Sequence, residues 1–192
     1  MAATETVSVE LGFEAPDFNL FDTISGEYKS LTDIKGEKAT VVMFTCNHCP
    51  FVLHVNEQLV QLANDYMPQG VGFVAISCND IEKYPQDSPE KMTELAAKVG
   101  YPFPYLFDET QDVAKAYKAV CTPDFSIFDA DLKCVYRGQL DASRPGNGKP
   151  VTGKDIRAAL DATVAGEEVN ARQIPSIGCN VKWKGGIFPD YA

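Results

Sequence analysis

The sequence has no long apolar run and few basic residues. No stretch of about 18 apolar residues, the length that a membrane-spanning helix requires, occurs in the 192-residue chain. Lysine and arginine number 17 against 27 aspartates and glutamates, which gives a net charge of −10 at pH 7. Because there is no such apolar run, we expect no membrane as a partner. Phosphate contacts require basic side chains, so we expect no nucleic acid either.

The first residues of the sequence do not predict a secretory signal. Residues 1–6 contain no basic segment followed by an apolar one. We therefore expect a cytoplasmic protein whose six cysteines are mostly reduced thiols rather than a disulfide framework. The length is compatible with a single domain, residues 1–192, that buries a full hydrophobic core. Within it, residues 1–14 are expected to be loosely ordered and the tail, residues 168–192, to be irregular.

What the sequence does contain is a cysteine pair at a predicted junction between a strand and a helix. Apolar, β-branched residues at 39–45 predict a central strand, and the C-N-H-C segment 46–49 follows it directly. Apolar residues at three- and four-residue steps then predict a helix, and Asn47 as N-cap would place Pro50 in its first turn. The unpaired N–H groups and the dipole at a helix N-terminus favour anions, so a thiolate forms there at a lowered pKa.

This spacing predicts a dithiol–disulfide redox site. Two residues between Cys46 and Cys49 allow a disulfide to form and break with little backbone movement, and Cys46 is expected to ionise more readily than a free thiol. A structural zinc site commonly has four ligands in two close pairs, and the sequence has no second pair. A haem attachment site needs histidine directly after the second cysteine, where Pro50 stands. We expect no metal and no organic cofactor.

Around the pair, the pattern predicts an α/β domain with a mixed sheet. The lone cysteines Cys78 and Cys134 lie in strand-like runs and are expected to be buried as small hydrophobic residues. The other predicted elements are a possible strand at 6–9, a hairpin near 15–31, a strand at 71–77, a polar loop at 79–90, a helix from Ser88 to Gly100, a strand at 105–107, a helix from Asp108 to Tyr117, a hairpin from Pro123 to Leu140 and a last helix at 152–165.

Several segments resemble the thioredoxin superfamily, specifically its peroxiredoxin-like (AhpC/TSA, redoxin) branch with a C-x-x-C motif. They are G-F-E-A-P-D-F at 12–18, F-T-C-N-H-C-P at 44–50, C-T-P-D-F at 121–125, and a C-terminal signature at 141–148 and 175–184. The resemblance extends over residues 12–184, nearly the whole chain. It implies a thioredoxin fold, with a mixed central sheet flanked by helices, an N-terminal β-hairpin extension and an irregular C-terminal tail.

The resemblance also implies roles for the cysteine pair. It makes Cys46 the exposed attacking thiolate and Cys49 the buried resolving thiol. His48 stands where oxidising members carry histidine, and an imidazole there would stabilise the Cys46 thiolate and raise the reduction potential. Alternatively, His48 is a solvent-facing loop residue. The implied substrates are thiols or disulfides of proteins or of low-molecular-weight compounds.

A second group of candidate site residues surrounds the expected cis-proline. By resemblance the Thr122–Pro123 bond is cis, which would turn the Thr122 backbone toward the dithiol and allow it to pair with a bound peptide. Cys121 is either a third redox thiol or a buried space-filling residue. Cys179 is a distant resolving cysteine if the tail folds back, or else a thiol packed beside Trp183.

A thiol-dependent peroxidase is the main alternative function. Peroxiredoxins carry threonine or serine three residues before the reactive cysteine, where this chain has Met43. They also use an arginine to polarise the peroxide, and neither Arg137 nor Arg144 matches that motif. A thioredoxin-fold binding module without redox activity is a third possibility.

One part of the thioredoxin site has no counterpart in the sequence. Thioredoxin keeps a buried carboxylate on the strand before its dithiol, where it takes the proton of the second cysteine. Residues 39–45 contain neither aspartate nor glutamate. The proton acceptor is therefore unassigned, and a water molecule or a carboxylate from elsewhere in the chain must serve.

Overall fold

The structure, a computed structural model, describes residues 3–192. Within them, the strands are β1 Ala3–Glu5, β2 Asn19–Asp22, β3 Tyr28–Ser30, β4 Ala39–Phe44, β5 Val71–Ser77, β6 Tyr105–Phe107, β7 Cys121–Thr122, β8 Asp124–Asp129, β9 Cys134–Gly138 and β10 Ile177–Asn180. The helices are α1 Leu31–Ile34, α2 Pro50–Tyr66, α3 Pro89–Val99, α4 Asp112–Ala116 and α5 Lys154–Ala165. None of these helices has both the length and the apolar character needed to cross a bilayer.

Seven of the strands form a mixed central sheet in the order β3-β2-β6-β5-β4-β8-β9. Strand β4 pairs parallel with β5, and β5 with β6, whereas the other neighbours are antiparallel. The hairpin predicted near the N-terminus is formed by β2 and β3 and joins the sheet at its edge. This architecture confirms the predicted α/β class and the thioredoxin-like fold.

Strand β4 is buried along its whole length, as its apolar composition predicts. Successive side chains point to opposite faces of a strand. Val41 and Met43 belong to the core cluster that α2, α3 and α5 cover, and Val42 and Phe44 belong to the cluster on the other face. Because both faces of β4 are packed, its C-terminal end holds the cysteines that follow it in a fixed position.

Helix α2 begins later than predicted. Its N-cap is Cys49, with extended backbone angles, and Pro50 occupies the first helical position, where its fixed φ is favourable. The prediction of Asn47 as N-cap was therefore wrong. The side-chain oxygen of Asn47 instead accepts a hydrogen bond from the Tyr105 hydroxyl (3.0 Å), and its amide donates to the carbonyl oxygen of Gln86 (2.9 Å).

Strand β1, near the start of the described residues, and β10, in the tail, meet in a second, three-stranded sheet in the order β1-β10-β7. The tail, expected to be irregular, thus contains a strand, and residues 3–5 pair with it although the N-terminal segment was expected to be loose. The strand expected at 6–9 is absent; the N–H of Thr6 donates to the carbonyl oxygen of Ser176 (2.8 Å). These pairings join segments far apart in the sequence, which local patterns do not reveal.

A glycine makes the close approach of β10 to β7 possible. A Cβ atom on Gly178 would overlap the carbonyl oxygen of Thr122, so only glycine fits at this position. The neighbouring residue Cys179 is consequently in register with Thr122, next to the predicted redox site.

Candidate redox active site

Cys46 and Cys49 lie between the end of β4 and the start of α2, as the sequence predicts, but both are buried. Their residues are 1% and 0% exposed, so the expectation of an exposed Cys46 was wrong. The Cys46 sulfur lies 3.4 Å from the Thr122 hydroxyl, and the Cys49 sulfur lies 3.1 Å from the Thr122 carbonyl oxygen. The Thr122–Pro123 bond is cis, as expected. Thr122 therefore faces both thiols with a donor and an acceptor.

A third cysteine belongs to the same cluster. The Cys179 sulfur lies 2.7 Å from the Cys49 sulfur, and these two residues pack together with Cys46 and Val52. Cys121, the other candidate thiol, is buried and lies outside this cluster, with its sulfur 3.9 Å from the Pro123 carbonyl oxygen. Cys78, directly after β5, and Cys134, in β9, are buried in the core on the far face of the sheet, as expected.

Cys49 is the acidic thiol of the cluster. The Cys46 thiol, the Cys179 thiol and the backbone N–H of Val52 stabilise its thiolate and, against the cost of burial, lower its pKa from 9.0 to about 5. Cys49 rather than Asn47 occupies the N-cap of α2, so the helix terminus acts on this sulfur. These groups and the helix terminus therefore favour a thiolate on Cys49.

Cys46 and Cys179 hold their protons more firmly. The neighbouring Cys49, burial and the charge of Asp87 raise the pKa of Cys46 well above its ordinary value, although the Thr122 hydroxyl acts in the opposite direction. Burial and the Cys49 thiolate raise the pKa of Cys179 to about 12. The pKa of Cys46 is thus shifted upward and that of Cys49 downward, opposite to the expectation that Cys46 ionises more readily than a free thiol.

A carboxylate that the sequence did not reveal lies beside Cys46. Asp87 is fully buried, and its Oδ1 accepts a hydrogen bond from the backbone N–H of Asn47 (2.8 Å). Its Oδ2 accepts one from the side-chain amide of Asn79 (2.8 Å). Asp87 belongs to the polar loop between β5 and α3, and only the three-dimensional fold brings this loop over the cysteine pair. It is a candidate to accept a proton from Cys46, the cysteine beside it, whereas the unassigned acceptor was sought for Cys49.

His48 faces this carboxylate. Its Nδ1 lies 2.7 Å from Asp87 Oδ2, and its ring stacks on Tyr84 with the centroids 5.6 Å apart and the planes at 7°. With only 16% of its side chain exposed, His48 is not a freely solvated loop residue. The imidazole of His48 thus contacts the Asp87 carboxylate, in addition to lying near the Cys46 sulfur.

The same side chains include three potential metal ligands. One atom each of Cys46, His48 and Asp87 lies within 4.8 Å of the others, and Zn²⁺ accepts all three ligand types. Structural zinc sites usually have a fourth ligand, and both oxygens of Asp87 already accept hydrogen bonds. These three side chains can bind a metal ion through Asp87 only if it loses one of its hydrogen bonds to Asn47 or Asn79.

The two arginines that were considered for peroxide binding are engaged elsewhere. Arg137 donates to the Asp124 carboxylate (2.8 Å) and to the Ser126 hydroxyl (3.0 Å), and it is buried. Arg144 donates to the side-chain oxygen of Gln139 and to the Ser143 carbonyl oxygen, each at 2.6 Å. These guanidinium contacts are with the protein's own acceptors rather than with the thiol cluster.

Comparison with known proteins agrees with this geometry. The sequence matches the AhpC/TSA family over residues 11–137. The chain belongs to the AhpC/TSA family. Membership indicates a redox function on a thioredoxin-like fold, without specifying the activity. No curated protein matches the chain.

Solved structures extend the comparison. An uncharacterised conserved protein from Geobacillus kaustophilus is 64% identical, with a TM-score of 0.94 over 96% of this chain and 97% of that one. A hypothetical protein from Sinorhizobium meliloti is 47% identical, with a TM-score of 0.93 over 95% and 100% of the two chains. The thioredoxin domain of a thiol-disulfide oxidoreductase from Bacteroides vulgatus is 22% identical, with a TM-score of 0.57 over 68% and 89%. This last likeness concerns the fold alone.

Proposed function

We propose that the protein is a thiol–disulfide oxidoreductase that acts by dithiol–disulfide exchange at Cys46 and Cys49. The observation that carries the proposal is the pair of sulfurs at the start of α2, of which Cys49 has its pKa lowered to about 5. Exchange requires a thiolate, and the lowered pKa of Cys49 favours one. No metal or organic cofactor is needed for the reaction.

The pair can present its negative charge on either sulfur. When the proton of Cys46 passes to Cys49, the Thr122 hydroxyl can donate to the Cys46 thiolate and the Thr122 carbonyl oxygen can accept from the Cys49 thiol. Thr122 therefore supports the form in which Cys46 is the nucleophile. This is the role that the family resemblance assigns to Cys46.

The proposed reaction has two exchange steps. The Cys46 thiolate attacks a substrate disulfide, one substrate sulfur leaves as a thiolate, and that thiolate takes the proton held by Cys49. The Cys49 thiolate then attacks Cys46 in the mixed disulfide and expels the second substrate thiolate. The substrate disulfide is reduced by two electrons, and the Cys46–Cys49 disulfide is formed.

The proposed substrates are disulfides or thiols of low-molecular-weight compounds or of proteins. Strand β10 already pairs with Thr122, so a peptide that added to this edge would have to displace it. This favours small disulfides and flexible protein segments over long extended peptides. The net charge of −10 disfavours nucleic acid as a partner. A reducing compartment such as the cytoplasm would keep the site in its dithiol form.

Insulin reduction with dithiothreitol as electron donor tests the proposal. The wild-type protein is expected to accelerate precipitation of the reduced insulin chains, and Cys46→Ser to abolish the acceleration. Cys134→Ser, which alters a buried thiol on the far face of the sheet, should retain it. Equal rates for wild type and Cys46→Ser would reject the oxidoreductase and favour a binding module.

Peroxidase activity has weaker support. Met43 stands where a peroxidase would have a hydroxyl, and the contacts of Arg137 and Arg144 are with other groups. We expect hydrogen peroxide to be consumed, with a dithiol reductant, no faster by the wild type than by Cys46→Ser. A Cys46-dependent rate that saturates with peroxide would establish the peroxidase instead.

A further inference from the structure

Cys49 has two sulfur neighbours rather than one. Besides its C-x-x-C partner Cys46, it contacts Cys179, whose sulfur lies 2.7 Å away. The S–S bond of a disulfide is about 2.05 Å long, so a shift of less than about 1 Å would bring these sulfurs to bonding distance. Two alternative disulfides are thus open to the same cysteine.

The placement of Cys179 depends on the fold of the tail. Gly178 allows β10 to touch the Thr122 carbonyl, and the β10–β7 register sets Cys179 opposite Thr122. On the other side of β10, β1 pairs with residues 177–179, with Ala3 opposite Cys179 and Glu5 opposite Ile177. A strand held on both edges keeps the Cys179 sulfur in place.

We propose that Cys179 is a third redox thiol, which exchanges with the Cys46–Cys49 disulfide to give a Cys49–Cys179 disulfide. The proposal rests on the proposed function, because that activity supplies the Cys46–Cys49 disulfide. It goes further by adding an oxidised state in which the tail is covalently joined to the start of α2.

The exchange step needs no additional oxidant. The Cys179 thiolate attacks the Cys49 sulfur, the Cys49–Cys179 bond forms and the Cys46–Cys49 bond breaks. The electron pair of the broken bond leaves with the Cys46 sulfur, which takes the proton that Cys179 gave up. The carboxylate of Asp87 reaches within 4.8 Å of the Cys46 sulfur, which receives the proton in this step. One disulfide is present before and after the step.

After this step the protein is still oxidised, through the Cys49–Cys179 disulfide, and Cys46 is a thiol. In that state Cys46 is a thiol that can enter a second exchange, for example with glutathione disulfide. The joined tail keeps β10 on the Thr122 edge and excludes an extended peptide from it. Oxidation would then favour small disulfides as partners over peptides.

Disulfide mapping of two cysteine variants tests the proposal. Cys46→Ser and Cys179→Ser are equilibrated with a series of glutathione redox buffers, quenched in acid, alkylated and analysed as linked peptides by mass spectrometry. The Cys46→Ser variant is expected to contain the Cys49–Cys179 disulfide, and Cys179→Ser only Cys46–Cys49. Serine at 179 keeps a hydroxyl donor beside Cys49, so this variant removes the redox role with little loss of the contact.

The wild type supplies the second readout. Protein first oxidised to Cys46–Cys49 and then freed of oxidant should develop the Cys49–Cys179 linkage, and Cys134→Ser should behave in the same way. If the Cys46→Ser variant is folded, as judged by circular dichroism, and never forms the Cys49–Cys179 disulfide, the proposed role of Cys179 is overturned. Formation of the Cys46–Cys49 disulfide in the wild type would still support the proposed oxidoreductase. If neither disulfide forms in the wild type, both proposals fail.

Discussion

The Oδ2 atom of Asp87 lies 2.7 Å from Nδ1 of His48, and both side chains reach within 4.8 Å of the Cys46 sulfur. The carboxylate is buried and hydrogen-bonded to the backbone of the C-x-x-C loop. After the Cys49 interaction and burial, its charge is the next cause of the raised pKa of Cys46. A group of this kind keeps Cys46 protonated at rest and is positioned to receive its proton during exchange.

The Asp87→Asn substitution should make Cys46 more acidic. With the negative charge removed and the shape retained, alkylation of Cys46 by iodoacetamide at pH 7 is expected to accelerate up to about tenfold, which corresponds to one pKa unit. The measurement is made in a Cys49→Ala background, so that only one thiol of the pair reacts. Asp80→Asn, in the same loop, is the matched control and should leave the rate unchanged. A rate equal to that of the parent would show that Asp87 has no electrostatic role.

The reduced protein should contain one thiolate at mildly acidic pH. Thiolate absorbance at 240 nm is expected to appear with a midpoint near the Cys49 pKa of about 5 and to be absent from Cys49→Ser. Cys46→Ala should raise this midpoint most, because the Cys46 thiol is the main group that stabilises the Cys49 thiolate. Cys179→Ala should raise it less. A midpoint that stays near that of a free thiol, 8.5 or so, in the wild type would refute the assignment.

The same pKa predicts a pH dependence of stability. Folding lowers the pKa of Cys49 from 9.0 to about 5, so the unfolded state binds more protons between these values. The stabilisation from this thiolate is therefore complete above pH 9 and is lost as the pH falls toward 5. Urea unfolding of reduced wild type and Cys49→Ser should show a difference in free energy that is larger at pH 8 than at pH 5.5. A difference independent of pH would contradict the lowered pKa.

Gly178→Ala should loosen the tail. The added methyl group would overlap the Thr122 carbonyl oxygen, and overpacking of this kind typically costs about 1–3 kcal/mol of unfolding free energy. We also expect faster alkylation of Cys179, because β10 must move away from β7. Glu5→Ala, on the exposed edge strand β1, is the control: it alters the same sheet but leaves the contact between β10 and β7 unobstructed. Unchanged stability and an unchanged Cys179 rate would show that β10 does not need the glycine.

The predictable parts of the site were those with local signals. The composition of β4, the spacing of Cys46 and Cys49 and the proline at the helix start each act within a few residues, and they place the dithiol correctly. The helix cap was misassigned by two residues, because Asn47 has a better partner in Tyr105 than in the helix N-terminus.

The parts that were not predicted depend on distant contacts. Asp87 lies in a loop whose sequence is merely polar, and its role appears only when the fold packs it against Asn47. Strand β10 is four residues long and pairs with segments more than fifty residues away, so no periodicity identifies it. Gly178, the residue that permits its approach to Thr122, looked like any other glycine of a tail.

The reduction potential is the most direct measure of the central claim, that Cys46 and Cys49 form a reversible redox couple. Groups that stabilise the Cys49 thiolate stabilise the reduced protein and raise its potential. Equilibration with glutathione buffers, followed by acid quench, alkylation and mass spectrometry, should show a two-electron transition that removes two of the six thiols. Its midpoint is predicted above the value of about −270 mV for thioredoxin. If all six thiols remain open to alkylation in every buffer, the account is contradicted.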